Sequence, residues 1–381
     1  MLVRFSVCFA LLLSAPFAGA QSLPDEEAPP AFPSELILLP QSVQDAANDG
    51  LDAEEAEVPS DLTPVDEAWY RAQIAYLGGD WFPARRYAEN AAVAGHADAA
   101  ALAGIMARDG IAQERNIPAA VDWFRRAAES RHPVALYQLG LLARLGDESL
   151  GLGTPRHWFD RAARAGHIDA MVAYALALRA SGIPQEAVLA REWAERAAQQ
   201  GSAEAKYQLA MMLDEGVGGP RDAEGARVWF ERSAEANIAE GAFQAGMMWA
   251  DGEGGPAGDV EARRWLRIAA ESGYAPGQGQ YGLMLYQGRG GEMDREAAAY
   301  WFGEGARGGD AESQYLYAFV LAQGDGVARD LETAYRWVVA AGTDNLGAPV
   351  HNQDRDRLQA ALERVLPLDV QARMRELGSA D

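Results

Sequence analysis

The sequence predicts an all-α fold, an α/α solenoid of helix–turn–helix repeats, and three periodic observations carry that prediction. Aromatic anchors stand at Tyr87, Trp123, Trp158, Trp193, Trp229, Trp265, Trp301 and Trp337, spaced by 36, 35, 35, 36, 36, 36 and 36 residues. Eight residues after each anchor comes Gly95, Arg131, Gly166, Gly201, Asn237, Gly273, Gly309 or Asn345. A second glycine recurs at Gly110, Gly146, Gly216, Gly252, Gly288 and Gly324, with Gly182 displaced by one. A fixed period of this length is the signature of a stacked repeat array.

The chain opens on what reads as a secretory signal, residues 1–20. Arg4 gives the positive start, "FSVCFALLLSA" (5–15) the short apolar core, and "AGA" (18–20) the small residues before cleavage between Ala20 and Gln21. The single cysteine, Cys8, falls inside that signal, so the mature chain is expected to hold no disulfide and no thiolate ligand. Residues 21–62 are rich in Pro, Asp and Glu, with too little apolar surface to offset chain ordering, and are expected to be a disordered acidic arm. Within it "ELILLP" (35–40) gathers Leu36, Ile37, Leu38 and Leu39. That segment is either a docking peptide for a partner or a flap folded back over the first helices.

Residues 63–345 carry the repeats. Each anchor begins a helix face that continues four and five residues on with alanine, as at Ala127 and Ala128, Ala162 and Ala163, Ala197 and Ala198, and Ala269 and Ala270. A ring and a methyl at i and i+4 share one face, which lets a neighbouring helix approach. Glycine or asparagine at the helix end suits left-handed backbone, which makes Arg131 the outlier. The partner helix follows, with acids in its first turn (Asp98, Asp169, Glu204, Glu240, Glu312) that complement the helix dipole. It carries small residues at Ala205, Gly241, Gly277 and Ser313, and again at Ala210, Gly246, Gly282 and Ala318. After its glycine turn, Asp222, Asp259, Asp294 and Asp330 are predicted N-caps of the next anchor helix. Residues 346–381, with "DRLQAALERVLPLDVQARMRELG" (356–378), read as two helices broken at Pro367 that close the last apolar face.

"GRGGEMD" (288–294) has the look of a phosphate-cradling loop. The same turn recurs as "GVGGPRD" (216–222), "GEGGPAGD" (252–259) and "GDGVARD" (324–330), and none of them carries Gly-Lys-Ser/Thr after a strand. These glycines are read as architecture. At "AREWAERAAQQGSAEAKYQLAMMLDEGVGGPRD" (190–222) and "AAAYWFGEGARGGDAESQYLYAFVLAQGDGVARD" (297–330) the chain resembles the Sel-1-like repeat family, relatives of the tetratricopeptide repeats. The resemblance covers about seven repeats, weakest at "RLGDESLGLGTPRHW" (144–158), and implies a right-handed superhelix that serves as an adaptor for protein partners. Secreted bacterial members of that family resemble envelope scaffolds, and some resemble periplasmic regulators that restrain a membrane sensor kinase.

The chemistry of sites adds little. A formal charge of −23 argues against nucleic acid and anionic membranes as partners. His96, His132 and His167 take equivalent places in successive repeats, too far apart for one metal, and are expected to be surface residues at helix starts. No catalytic group, metal site or cofactor is predicted, and the period-36 tryptophans are expected to be core. Trp249, Tyr286 and Tyr317, outside the anchor slot, are the candidate partner-binding aromatics, with ordinary inter-repeat packing as the competing reading. The expectation is therefore a non-enzymatic, periplasmic or secreted scaffold that binds a protein or extended peptide in an acidic groove. A regulator of a membrane sensor kinase, or a cell-wall-binding or hydrolytic envelope protein, are the alternatives.

Overall fold

The computed structural model describes residues 43–44, 53, 58–343 and 352–378. The predicted signal with Cys8, Ala20 and Gln21, the apolar Leu36, Ile37, Leu38 and Leu39, and also Asn345 and His351 lie outside the described residues. Among the described residues the regular elements are all helical. They run α1 (Pro64–Leu77), α2 (Trp81–Val93), α3 (Ala97–Asp109), α4 (Ile117–Glu129), α5 (Pro133–Arg144), α6 (Pro155–Arg164), α7 (Ile168–Ala180), α8 (Pro184–Gln199) and α9 (Ala203–Glu215). There follow α10 (Ala223–Glu235), α11 (Ala239–Asp251), α12 (Asp259–Glu271), α13 (Ala275–Gln287), α14 (Arg295–Arg307), α15 (Ala311–Gln323), α16 (Leu331–Ala340), α17 (Gln353–Val365) and α18 (Leu368–Gly378). A short 3₁₀ turn, Glu148–Leu150, fills the irregular connection before α6. Anchor helices alternate with the small-residue helices, here called B and A, and within each unit neighbouring helices such as α1 and α2, α2 and α3, and α5 through α16 in succession pack on one another.

The chain divides into two compact units, residues 1–123 and 124–381. In the first, Thr63 caps α1, and Tyr76 is buried edge-on against Trp81, with ring centroids 5.1 Å apart. Val43 and Ala53, inside the stretch read as disordered, are described and buried, and the Arg71 guanidinium donates to the Ala53 carbonyl.

In the second unit, size complementarity sets the helix spacing. The residue after each anchor is buried in every repeat: Phe124, Phe159, Ala194, Phe230, Leu266, Phe302 and Val338 are at most 4% exposed. Where that residue is large, the preceding A helix answers with glycine in three repeats. A Cβ on Gly140, Gly246 or Gly282 would press on Phe159, on Leu266 (2.7 Å from Cγ) or on Phe302 (2.9 Å from Cδ1). Ala175 and Ala318 occupy the same slot in the repeats that bury Ala194 and Val338. Close packing of this kind leaves no room for one extra methyl.

Burial in the next slot departs from expectation. Only Trp193, Trp265 and Trp337 of the anchors are buried; Tyr87, Trp123, Trp158, Trp229 and Trp301 are half-buried, at the rim of the core. Arginines one residue before or three after cover the rings: Arg161 over Trp158, Arg196 over Trp193, Arg232 over Trp229, Arg264 over Trp265 and Arg336 over Trp337, each 4.5–5.1 Å from the centroid. The aliphatic stem shields the ring, and in the exposed Arg196, Arg232 and Arg264 the guanidinium stays wet.

The turns follow the glycine reading with one correction. Gly216, Gly252, Gly288 and Gly324 adopt φ between +67° and +74°, and Arg131 and Asn237 take the same left-handed backbone, at +59° and +66°, as glycine does elsewhere in their slot. Asp222, Asp294 and Asp330 cap the B helices through their carboxylates. Asp259 does not: Gly258 stands in the cap position that Asp222 and Asp294 hold in their repeats, and Asp259 is the first helical residue. A second arginine series ties each B helix to the next turn, Arg191 Nη1 donating to the Pro220 carbonyl (3.3 Å) and Arg263 Nη1 to that of Glu292 (3.0 Å). At the C-terminus Leu362 of α17 and Met374 of α18 bury against Tyr335, Trp337 and Val338, covering the last apolar face.

Candidate partner-binding face

The A helices of the second unit approach one another from repeat to repeat, α11 against α13 and α13 against α15. Their first turns place a strip of acids and phenols in line. Tyr207 of α9 stands near Glu204 and Glu240, and its hydroxyl is pushed up to about 12, by burial first and then by Tyr274 and those carboxylates. Tyr274, at the head of α13, is likewise pushed up to about 12 by burial and by Glu240 and Asp310. Its ring meets Phe243 of α11 at 5.4 Å, and the following aromatic slot is Gly279, where a Cβ would press on Ser313. Asp310 caps α15, its carboxylate taking the Ser313 amide at 2.8 Å, and burial raises its pKa above the ordinary carboxylate range. Glu312 is exposed as a residue, yet desolvation at its carboxylate, held by Gln280 (3.0 Å), raises it as well, with Asp310 adding repulsion.

The distribution of ion pairs sets this strip apart. Carboxylates at the turns have arginine partners: Glu186 with Arg156 and Glu215 with Arg179 at 2.6 Å, Asp214 with Arg221 and Asp325 with Arg295 at 2.7 Å. Glu204, Glu240, Asp310 and Glu312 form no ion pair among the described residues. Their negative charge is uncompensated by the chain itself, and the tyrosine hydroxyls beside them remain protonated donors at neutral pH.

The candidate aromatics sit in seams between helices. Trp249 donates from Nε1 to Glu231 (2.6 Å) under the Arg227 guanidinium, 4.1 Å from its ring. The Tyr286 hydroxyl donates to Asp325 (2.8 Å), which also takes Arg295, and that bond is the main cause of its raised pKa. Tyr317 meets Trp337 edge-on at 6.0 Å. Tyr286 and Tyr317 pack on one cluster around Phe302, and Trp249 on a separate one around Leu266 and Met284. All three are half-buried, with an edge open to solvent.

The histidines are caps, and two of them are not at the surface as expected. Nδ1 of His96, His132 and His167 accepts the amide three residues on (Ala99, Ala135, Ala170), at 3.3 Å each, and His132 and His167 are only 8% exposed. The cue in sequence was that a cap slot filled elsewhere by Ser202 and Asp310 holds a third kind of acceptor. Among the described residues no group of three His, Cys, Asp or Glu could hold a metal. A shallow cleft of about 600 Å³ lies between the turns after α7 and α9, lined by Ile183, Val188, Val217 and Gly216–Gly219. Its one lining cation, Arg179, is bound to Glu215, so the cleft offers apolar contact and no reactive group. Among the described residues no helix is long and apolar enough to cross a membrane.

The Sel1 repeat model matches residues 97–132, 133–167, 168–202, 203–238, 239–274, 275–310 and 311–341, one A and one B helix in each. Among solved structures, c5321, a protective antigen present in uropathogenic Escherichia coli strains and displaying an SLR fold, superposes with a TM-score of 0.69 at 24% identity, over 90% of this chain and 75% of that one. A Sel1 repeat protein from Oxalobacter formigenes superposes with a TM-score of 0.57 at 24% identity, over 84% of this chain and 89% of that one. At that identity the likeness speaks for the fold. No curated protein matches the chain significantly.

Proposed function

Since the chain belongs to the Sel1 repeat family, whose members are generally non-enzymatic scaffolds for protein–protein interaction, we propose that it binds a protein or extended peptide along the first turns of its A helices. The observation that supports this most is the asymmetry of charge. Carboxylates at the turns are matched by arginines, whereas Glu204, Glu240 and Glu312 form no ion pair within the described residues and are left for an outside partner. A solenoid is built to offer such a surface, because stacking already buries its apolar faces and frees a continuous row of slots. Trp249, Tyr286 and Tyr317, half-buried on the A helices, are the candidate aromatic contacts of such a partner. The site of action in this reading is the periplasm or the exterior, reached through the N-terminal signal of residues 1–20.

The test is photocrosslinking in the source cells. A photoreactive residue is placed at Gln244, Gln280 or Glu312 on the strip, or at Glu195 or Glu271 on the B helices as controls. The proposal expects one dominant protein adduct from the strip positions and none from the controls. Equal adducts from both sets, or retention of cell-wall glycan in place of protein, would overturn it. Processing at Ala20 and recovery in the periplasmic fraction test the location separately.

A further inference from the structure

One buried group is used by neither the core nor the binding strip. His167 opens α7 with its ring stacked on Tyr137 of α5, centroids 4.3 Å apart at 28°. Its Nδ1 accepts the Ala170 amide, so the neutral ring carries its proton on Nε2, and that atom is buried without any hydrogen-bond partner. The imidazole therefore joins two repeats, 133–167 and 168–202, and closes the head of α7 only while it is uncharged.

We propose that His167 is an acid-released latch, whose protonation uncaps α7 and loosens it from α5. An imidazolium has two donors and no acceptor, so the proton that arrives at Nδ1 confronts the Ala170 amide instead of accepting from it. The new positive charge also stands at the positive end of the helix dipole. Stacking on Tyr137 favours the cation but offers neither N–H an acceptor.

The groups acting on His167 electrostatically come from both packed elements: Asp169 on α7 favours the charged ring, and His132 at the head of α5 opposes it. Burial is the largest influence and holds the pKa below the ordinary histidine value. The sign follows. The unfolded chain takes up its proton near pH ~6.5 and the folded chain at lower pH, so the latch is intact above that value. Stability then falls as pH drops from the ordinary imidazole range through the folded pKa. The fold supplies its own control, because α9 is capped by the Ser202 hydroxyl, which does not titrate.

Hydrogen exchange on the full chain at about pH 7.5 and about pH 5.5, corrected for intrinsic rates, tests the latch. Amides at the start of α7 should lose roughly tenfold in protection at the lower pH, while those at the start of α9 should not. His167→Asn, a cap that does not titrate, should keep its protection at both. Equal protection of the wild-type α7 at the two values, or the same acid response in His167→Asn, would overturn the proposal. If that variant does not fold, the wild-type chain still decides by NMR: the Ala170 amide must shift at the pH where the His167 ring titrates. An Ala170 signal indifferent to that titration would refute the latch.

Discussion

Gly290, the third residue of the "GRGGEMD" turn, separates two costs that are usually confounded. Its φ is +68°, and a Cβ there would run into the Asp259 carbonyl oxygen of the preceding B helix, lying 2.7 Å from the carbonyl carbon as well. Gly273 shares the positive φ, at +79°, but a Cβ on it meets nothing within 4 Å. Left-handed backbone costs an L-residue roughly 1–2 kcal/mol, so Gly273→Ala should lose about that much. Gly290→Ala carries the same strain and must also push apart the turn and the head of α12, adding roughly 1–3 kcal/mol by the usual cost of overpacking. Urea denaturation of the two variants measures the difference, and hydrogen exchange locates it. Because stability in a repeat array is a sum of local and nearest-neighbour terms, the extra loss should appear at the start of α12 and in the turn itself. Equal losses in the two variants would refute the claim that these turns are wedged against the preceding repeat.

Two further substitutions test the core and the caps. Phe302→Ala empties the slot facing Gly282, and with so small a residue opposite there is little to collapse into the cavity; about 3–5 kcal/mol should be lost in urea denaturation. Asp330 caps α16 through the Thr333 amide at 3.0 Å, and Asp330→Ala should cost about 1 kcal/mol. Hydrogen bonds from Thr333 hold the Asp330 carboxyl below the usual range, so the folded state binds fewer protons there than the unfolded chain. Its contribution is complete above the ordinary carboxylate pKa and is lost as pH falls through the depressed value, which acid titration of the wild type and the Ala variant compares.

Much of this architecture is legible in the sequence because the slots that define it are filled by few residue types. An aromatic ring every 35 or 36 residues, and glycine at most positions of positive φ, leave a register that survives the exceptions at Ala112, Arg131 and Asn237. The buried slot after each anchor escaped the same reading for the opposite reason. Ala88, Phe124, Phe159, Ala194, Phe230, Leu266, Phe302 and Val338 share a position and a degree of burial but not a size, since each is matched to the helix in front of it. Tryptophan is easier to see and is less buried, because its breadth carries it to the rim, where arginine covers it. Asp259 shows how an acid one place out of register misleads a periodic reading: Gly258, not Asp259, stands 36 residues after Asp222 and 36 before Asp294, so the glycine holds the cap position and the acid is already helical. The charge asymmetry of the A helices was not legible at all, since an acidic side chain looks the same in sequence whether or not an arginine from another repeat reaches it.

That asymmetry also allows binding and folding to be separated. The arginines at the turns hold one repeat to the next, so removing one of them perturbs both partner geometry and stability. Glu312 has no such duty: its charged form is opposed by desolvation and by Asp310, which is why its pKa is raised. A carboxyl whose folded pKa lies above its unfolded value weakens the fold whenever it is ionised, so at neutral pH the charge on Glu312 is a burden on stability. Glu312→Gln keeps the shape and removes the charge. It should leave the urea midpoint unchanged or slightly higher while lowering the adduct yield from a crosslinker at Gln280. Glu195→Gln on α8, exposed and outside the strip, should change neither reading. A chain that keeps its strip charged at some cost to its own stability is explained by a partner that supplies the missing cations. If Glu312→Gln destabilised the fold, or left the crosslink intact, the strip would be part of the scaffold's internal packing and the binding face would have to be sought elsewhere.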